Sequence, residues 1–186
     1  MKYSAKKLVI MALLAAAATV IFVIEAQIPL PIPVPGVKLG FANIITLFAL
    51  FYTGRRSSGK KKSKKDKEEA MFTAADVFMI LLCRIALSAL LSGRIVALIY
   101  SAAGGILAFA VLLLMRQIVS RNRMWACGSV SAVFHNIGQI AAAVVITGAP
   151  SVAAYLPVLI IAGIITGAVT GLIAQAAVGY INIGEK

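Results

Sequence analysis

The stretch FTAADVFMILLCRIALSALL, Phe72 to Leu91, is apolar over the length of a helix and carries one cation, Arg84, inside it. At about 1.5 Å per residue this run spans about 30 Å, the hydrocarbon thickness of a bilayer. Arg84 then lies well below a membrane surface, where a guanidinium facing lipid costs about 2.5 to 3.5 kcal/mol. It is expected to face protein, water or an anion, as one wall of a polar cavity.

The rest of the chain fits a membrane setting. Its 186 residues are 61% hydrophobic and 13% charged, with a mean hydropathy of +0.99. In a soluble domain about a quarter of the residues are charged. The pattern predicts one all-α integral membrane domain with six transmembrane helices, at about 8–26, 39–53, 72–91, 95–115, 125–147 and 155–178, and no soluble domain.

The net charge of +12 matters less than where the cations fall. Lys2, Lys6 and Lys7, the eight cations from Arg55 to Lys67, then Arg116, Arg121, Arg123 and Lys186 fall on one side of such a topology. Lys38 and Arg94 fall on the other. This bias is the positive-inside rule, and it places both termini in the cytoplasm of a six-span protein. Residues 54–71 switch abruptly to Gly, Ser and Lys and read as a basic, disordered cytoplasmic loop that touches anionic membrane lipid. Gly54, Gly59 and Lys60 match the start of a phosphate-binding loop. Lys61 replaces the hydroxyl that would hold Mg²⁺, and no strand precedes it. The loop also has no interleaved aromatic residues for stacking, so nucleic acid is not an expected partner.

Taken in order, Lys2, Lys6 and Lys7 ahead of the apolar run Leu8 to Ile24 have the arrangement of a signal peptide. The run is longer than a signal core and five spans follow, so a retained first span is expected. Ala12 and Ala16 form a small-xxx-small face, either for packing within the bundle or for docking a separate membrane subunit. Ile28 to Gly36 has proline at alternate positions and is expected to be extended, as a stiff connector or a cover across the bundle mouth. Span 2 is short and carries Asn43 and Thr46. Span 3 adds Asp76, Arg84 and Ser88, and span 4 adds Tyr100, Ser101, Gly104 and Gly105.

Span 5 holds Val133-Phe134-His135-Asn136-Ile137-Gly138-Gln139, in which His135 and Gln139 are one turn apart. Three hydrogen-bonding side chains in five residues are costly in a membrane unless they meet partners. A structural and a ligand-facing role both fit. There is one histidine in the chain and no cysteine at ligand spacing from it, so no metal site is expected. In span 6, Gly163, Gly167 and Gly171 make a groove for helix packing.

Counting helical rise places Asn43, Arg84, Ser88, Tyr100, Ser101 and Gln139 in the outer half, with His135 at its floor, and Asn136 beside it. Glu25, Lys38 and Arg94 fall at the mouth. These residues are the candidate ligand pocket. Cations outnumber the one acid, which favours a carboxylate or phosphate on Arg84. A purely structural pairing of Arg84 with Glu25 is the alternative. No acid-rich diphosphate motif, activated nucleophile, or haem or flavin attachment signature is present, so neither catalysis nor a cofactor is expected.

Val37 to Thr46, Arg84 to Gly93, Tyr100 to Gly105, Val133 to Gln139 and Tyr155 to Gly171 together resemble the Gx transporter family, also labelled heptaprenyl diphosphate synthase component I. That family is similar to the substrate-binding S components of energy-coupling factor (ECF) vitamin transporters. The resemblance implies an S-component-like bundle in the bacterial inner membrane, with an outward-facing pocket covered by the first external loop. It also implies docking through the Ala12 and Ala16 face onto a transmembrane coupling protein driven by two ATPases. The expected function is a substrate-binding subunit for a small molecule or vitamin. The alternative is an isoprenoid- or quinone-binding subunit of a prenyl-lipid or flavin-linked electron-transfer pathway. A scaffold with no ligand is the third reading.

Overall fold

The computed structural model describes residues 5–28, 37–52, 72–93 and 95–184. The proline-rich segment beyond Ile28, the basic loop 54–71 and Arg94 lie outside the described residues. Six α-helices follow in order: α1 (Ala5–Glu25), α2 (Asn43–Tyr52), α3 (Ala74–Ser92), α4 (Ile95–Ile118), α5 (Met124–Thr147) and α6 (Leu156–Gly184). Short 3-10 turns at Arg121–Arg123 and Pro150–Tyr155 lead into α5 and α6. No strand occurs among the described residues.

Local chemistry sets several helix ends. Thr73 and Asp76 form a reciprocal capping box at the start of α3, and Gly93, at φ 61°, closes it by donating to Ala89 O. Gly148, at φ 64°, closes α5 in the same way on Val144 O. The Met124 N–H at the start of α5 donates 3.1 Å to Gln175 Oε1, so α6 caps its neighbour. Thr19, Thr147, Thr166 and Thr170 turn their hydroxyls back onto carbonyls one turn earlier. In a setting without water this satisfies each O–H inside its own helix.

Five of the helices are long and apolar enough to cross a membrane; α2, with 10 described residues, rises only about 15 Å. The run expected from residue 39 starts four residues later as helix because Gly40 adopts φ 85°, a left-handed turn that the helix follows rather than contains. α4 and α6 run further than expected, to Ile118 and Gly184.

α2 nevertheless contacts all five other helices and plugs the centre of the bundle. α6 lies along α5, where Gly167 and Gly171 meet the main chain of Gly128, Ser129 and Trp125 with no space for a side chain. α4 meets α5 as closely: a Cβ on Gly138 would lie 2.8 Å from Ala103 O.

The distribution of side chains is that of a protein in lipid. Leu90, Ile95, Ile118 and Val145 are largely exposed, while Glu25, Asn43, Arg84, Ser88, Ser101, His135, Asn136 and Gln139 are buried. Water would penalise the first set and reward the second, so the outer surface is fitted to hydrocarbon. The chain is a multi-pass membrane protein. Its interior is layered: one apolar cluster contains Leu47, Leu50, Val77, Leu81, Leu112 and Cys127, and another contains Val37, Tyr100, Ile140, Ala143 and Leu159. The polar residues lie between the two.

Candidate functional site

The polar layer is built around Arg84, which is 2% exposed. Its Nη1 donates 3.3 Å to Asn43 Oδ1, tying α3 to the first residue of α2. Its Nη2 lies against Gly105 of α4, where an added Cβ would come within 3.2 Å. Among the described residues Arg84 makes no ion pair with Glu25, although each lies within electrostatic range of the other. Glu25 accepts the Gly40 N–H at 2.5 Å, so its carboxylate holds the chain that leads into α2.

A second set of bonds fixes the stretch before α2. The Lys38 N–H donates 2.8 Å to Gln139 Oε1 on α5, and the Lys38 ammonium donates 3.2 Å to Phe22 O while sitting over the Phe22 ring. With its oxygen on Lys38, Gln139 presents Nε2 to His135 Nε2, and the two are hydrogen-bonded. An amide nitrogen only donates, so His135 Nε2 accepts, the ring is neutral and its proton is on Nδ1. Gly104 makes room for that ring: a Cβ there would stand 2.9 Å from His135 Cε1.

Several buried atoms of this layer find no hydrogen-bond partner among the described residues: Arg84 Nε and Nη2, Asn43 Nδ2, His135 Nδ1 and Ser88 Oγ. The arginine, asparagine and histidine atoms are all donors, given the bonds their other atoms make. Each unmet donor costs about 1–3 kcal/mol when buried, and proteins leave such groups unmet mainly where something else binds. Of these residues Arg84 and His135 line a narrow cavity, together with Phe22, Glu25, Lys38, Gly40, Ser101 and Gln139, with room for about one water. A second small cavity, on the α6 side, is lined by Asn43, Ser131, Thr166 and Thr170 and shares Gly40 with the first.

The structure therefore brings Glu25, Lys38, Asn43, Arg84, Ser101, His135 and Gln139 together. Ser88 is buried one turn from Arg84 without lining the cavity. Tyr100 and Asn136 are directed elsewhere. Tyr100 packs among Val37, Ile140 and Leu159, and Asn136 donates 2.7 Å to Leu159 O against Gly163. Ala12 and Ala16 are exposed on α1, with Ala15 and Ala18 buried behind them. Gly163, Gly167 and Gly171 face α5. Sequence reasoning missed Gly40, whose positive φ and place between both cavities make it the pivot of the layer; the signal was a lone glycine between two apolar runs.

The family model described as heptaprenyl diphosphate synthase component I matches residues 14–59 and 69–177. The chain belongs to this family. The matched residues include the second half of α1, all of α2 to α5 and most of α6, and with them every residue that lines the first cavity. Comparison with curated proteins and with solved structures finds no match. The family is that of the Gx transporters, which the segments around Asn43, Arg84, His135 and Gly163 resemble.

Proposed function

We propose that this Gx family member is the substrate-binding, S-component-like subunit of an ATP-driven uptake system for a small anionic molecule. It sits in the cytoplasmic membrane with both termini inside, and carries its ligand rather than transforming it. The observation that carries this reading is the pair of unmet donors on Arg84, Nε and Nη2, with Asn43 Nδ2 in the same layer: among the described residues none of the three has a hydrogen-bond partner. A merely structural arginine would be expected to have used its donors on carbonyls or on Glu25. Exposure of Ala12 and Ala16 supports their use as a docking face for a transmembrane coupling protein with its two ATPases.

Ligand contacts then come from Arg84, Asn43, His135, Gln139 and Ser101, with Glu25 and Lys38 holding the chain that lies over them. The cavity is nearly filled by these side chains, so binding moves some of them aside. The test is uptake by cells that depend on the system. Arg84→Ala abolishes uptake while the purified protein remains monodisperse in detergent; unaltered uptake removes Arg84 from the site and ends the reading.

The family's label, heptaprenyl diphosphate synthase component I, favours a second reading, a subunit that binds an isoprenoid or quinone. Mass spectrometry of small molecules that co-purify with the protein separates the two. A water-soluble acid supports the first and a polyprenyl compound the second.

A further inference from the structure

We infer that the group seated on Arg84 is a single carboxylate, a planar monoanion, and not a phosphate or diphosphate. This rests on the reading of the layer as an anion site and narrows the chemistry of its ligand.

One edge of the guanidinium is without a partner. Nη1 is occupied by Asn43 Oδ1, whereas Nε and Nη2 have no partner among the described residues. Nε–H and the adjacent Nη2–H point the same way and are spaced to meet the two oxygens of one carboxylate in parallel bonds. Asn43 holds the guanidinium through Nη1, and the missing side chain at Gly105 leaves space beside Nη2, where a Cβ would come within 3.2 Å. Asn43 Nδ2 is a further donor in the same layer for any remaining lone pair.

Charge sets the valence. Arg84 and Lys38 line the cavity as cations, Glu25 lines it as the one carboxylate, and His135 is neutral by its bond to Gln139. Among the described residues the balance is a single positive charge, in a layer flanked by two apolar clusters. One carboxylate cancels it. A sulfate or doubly ionised phosphate leaves a net negative charge in a low-dielectric interior, and a diphosphate leaves more, each of which is costly to bury. The space as it stands admits about one water, so the smaller the anionic group, the fewer side chains move to seat it.

The test is thermal unfolding of the full chain in lipid nanodiscs at neutral pH. The probes are formate, acetate and benzoate, with sulfate and inorganic phosphate as multiply charged anions and benzamide as the neutral counterpart of benzoate. The monocarboxylates raise the melting temperature with an apparent affinity at least about tenfold tighter than sulfate or phosphate, and benzamide does nothing. Arg84→Lys keeps the charge but loses the two-donor edge, and most of the carboxylate shift goes with it. Glu25→Gln raises the local balance by one charge and moves the preference toward sulfate. Equal stabilisation by sulfate, phosphate or benzamide overturns the inference. So does a full carboxylate shift in Arg84→Lys, or no shift from any carboxylate. If phosphate stabilises the wild type and Arg84→Lys weakens it, the anion site stands and its carboxylate identity falls; unaltered uptake by Arg84→Ala removes the site itself.

Discussion

Gln139 decides the tautomer of His135. Its Oε1 is engaged by the Lys38 N–H at 2.8 Å, which leaves only an amide donor for the imidazole and places the ring proton on Nδ1. The chain contains one histidine, so a sample labelled with ¹⁵N-histidine reports this ring alone. The expected spectrum is that of a neutral imidazole protonated at Nδ1. A ring protonated at Nε2, or a doubly protonated one, contradicts the geometry. Gln139→Leu removes both bonds, the part-buried one from the Lys38 N–H and the buried one to His135, a loss of about 1–3 kcal/mol that should lower the melting temperature.

Gly40 carries a separate prediction. Its φ of 85° is strained for any residue with a side chain, and a Cβ there would stand 2.8 Å from His135 Cδ2 and 3.0 Å from Asn43 Nδ2. Gly40→Ala therefore costs about 1–3 kcal/mol in backbone strain and also pushes His135 and Asn43 from their places. Both effects should be visible together, as a lower melting temperature and weakened ligand or probe binding. A variant that melts like the wild type would show that the turn into α2 is not held as described.

How far the sequence reveals this arrangement depends on which coordinate is asked for. Depth is legible: counting rise along α3, α4 and α5 correctly groups Arg84, Ser101, His135 and Gln139, because every helix advances by the same amount per residue. Rotation about the helix axis is not. Tyr100 and Asn136 share their depth with Ser101 and His135, yet one residue turns the side chain by about 100° and directs them to the Leu159 side. Helices that are apolar nearly all round leave no stripe from which to read that angle. The starting point of α2 was hidden for a related reason. Hydropathy runs unbroken through Leu39 and Phe41, and only the backbone at Gly40 separates an irregular approach from the helix.

The α5–α6 seam should be intolerant of bulk at one glycine and indifferent at another. At Gly167 an added Cβ would lie 2.6 Å from Ser129 Cα, a main-chain contact that cannot swing away. Gly167→Leu therefore costs at least about 1–3 kcal/mol by forcing the helices apart. At Gly179, on the same helix, nothing lies within 4 Å. Gly179→Ala should leave stability unchanged or raise it by about 0.4–1 kcal/mol through lower chain entropy and better helix propensity. Melting the two variants side by side in the same detergent checks the contrast. Equal destabilisation would mean that the seam is not where the two helices meet.

Asp76 serves two structures at once, and its variants can separate them. Its Oδ2 accepts the Thr73 N–H at 2.6 Å and the Thr73 hydroxyl at 2.8 Å, and the same oxygen pairs with Lys7 Nζ at 2.6 Å. The first two bonds start α3, and the third ties α1 to it. Asp76→Asn keeps an oxygen acceptor for Thr73 and loses only the charge on Lys7. Lys7, 25% exposed, can turn its ammonium toward water, so the pair alone is worth about 0–1 kcal/mol. Asp76→Ala also removes the cap, a further cost of about 0.5–2 kcal/mol. The expected order of melting temperatures is therefore wild type, then Asp76→Asn and Lys7→Met close together, then Asp76→Ala. If Asp76→Asn falls as low as Asp76→Ala, the ion pair and not the cap holds the start of α3, and Lys7→Met must then fall with them.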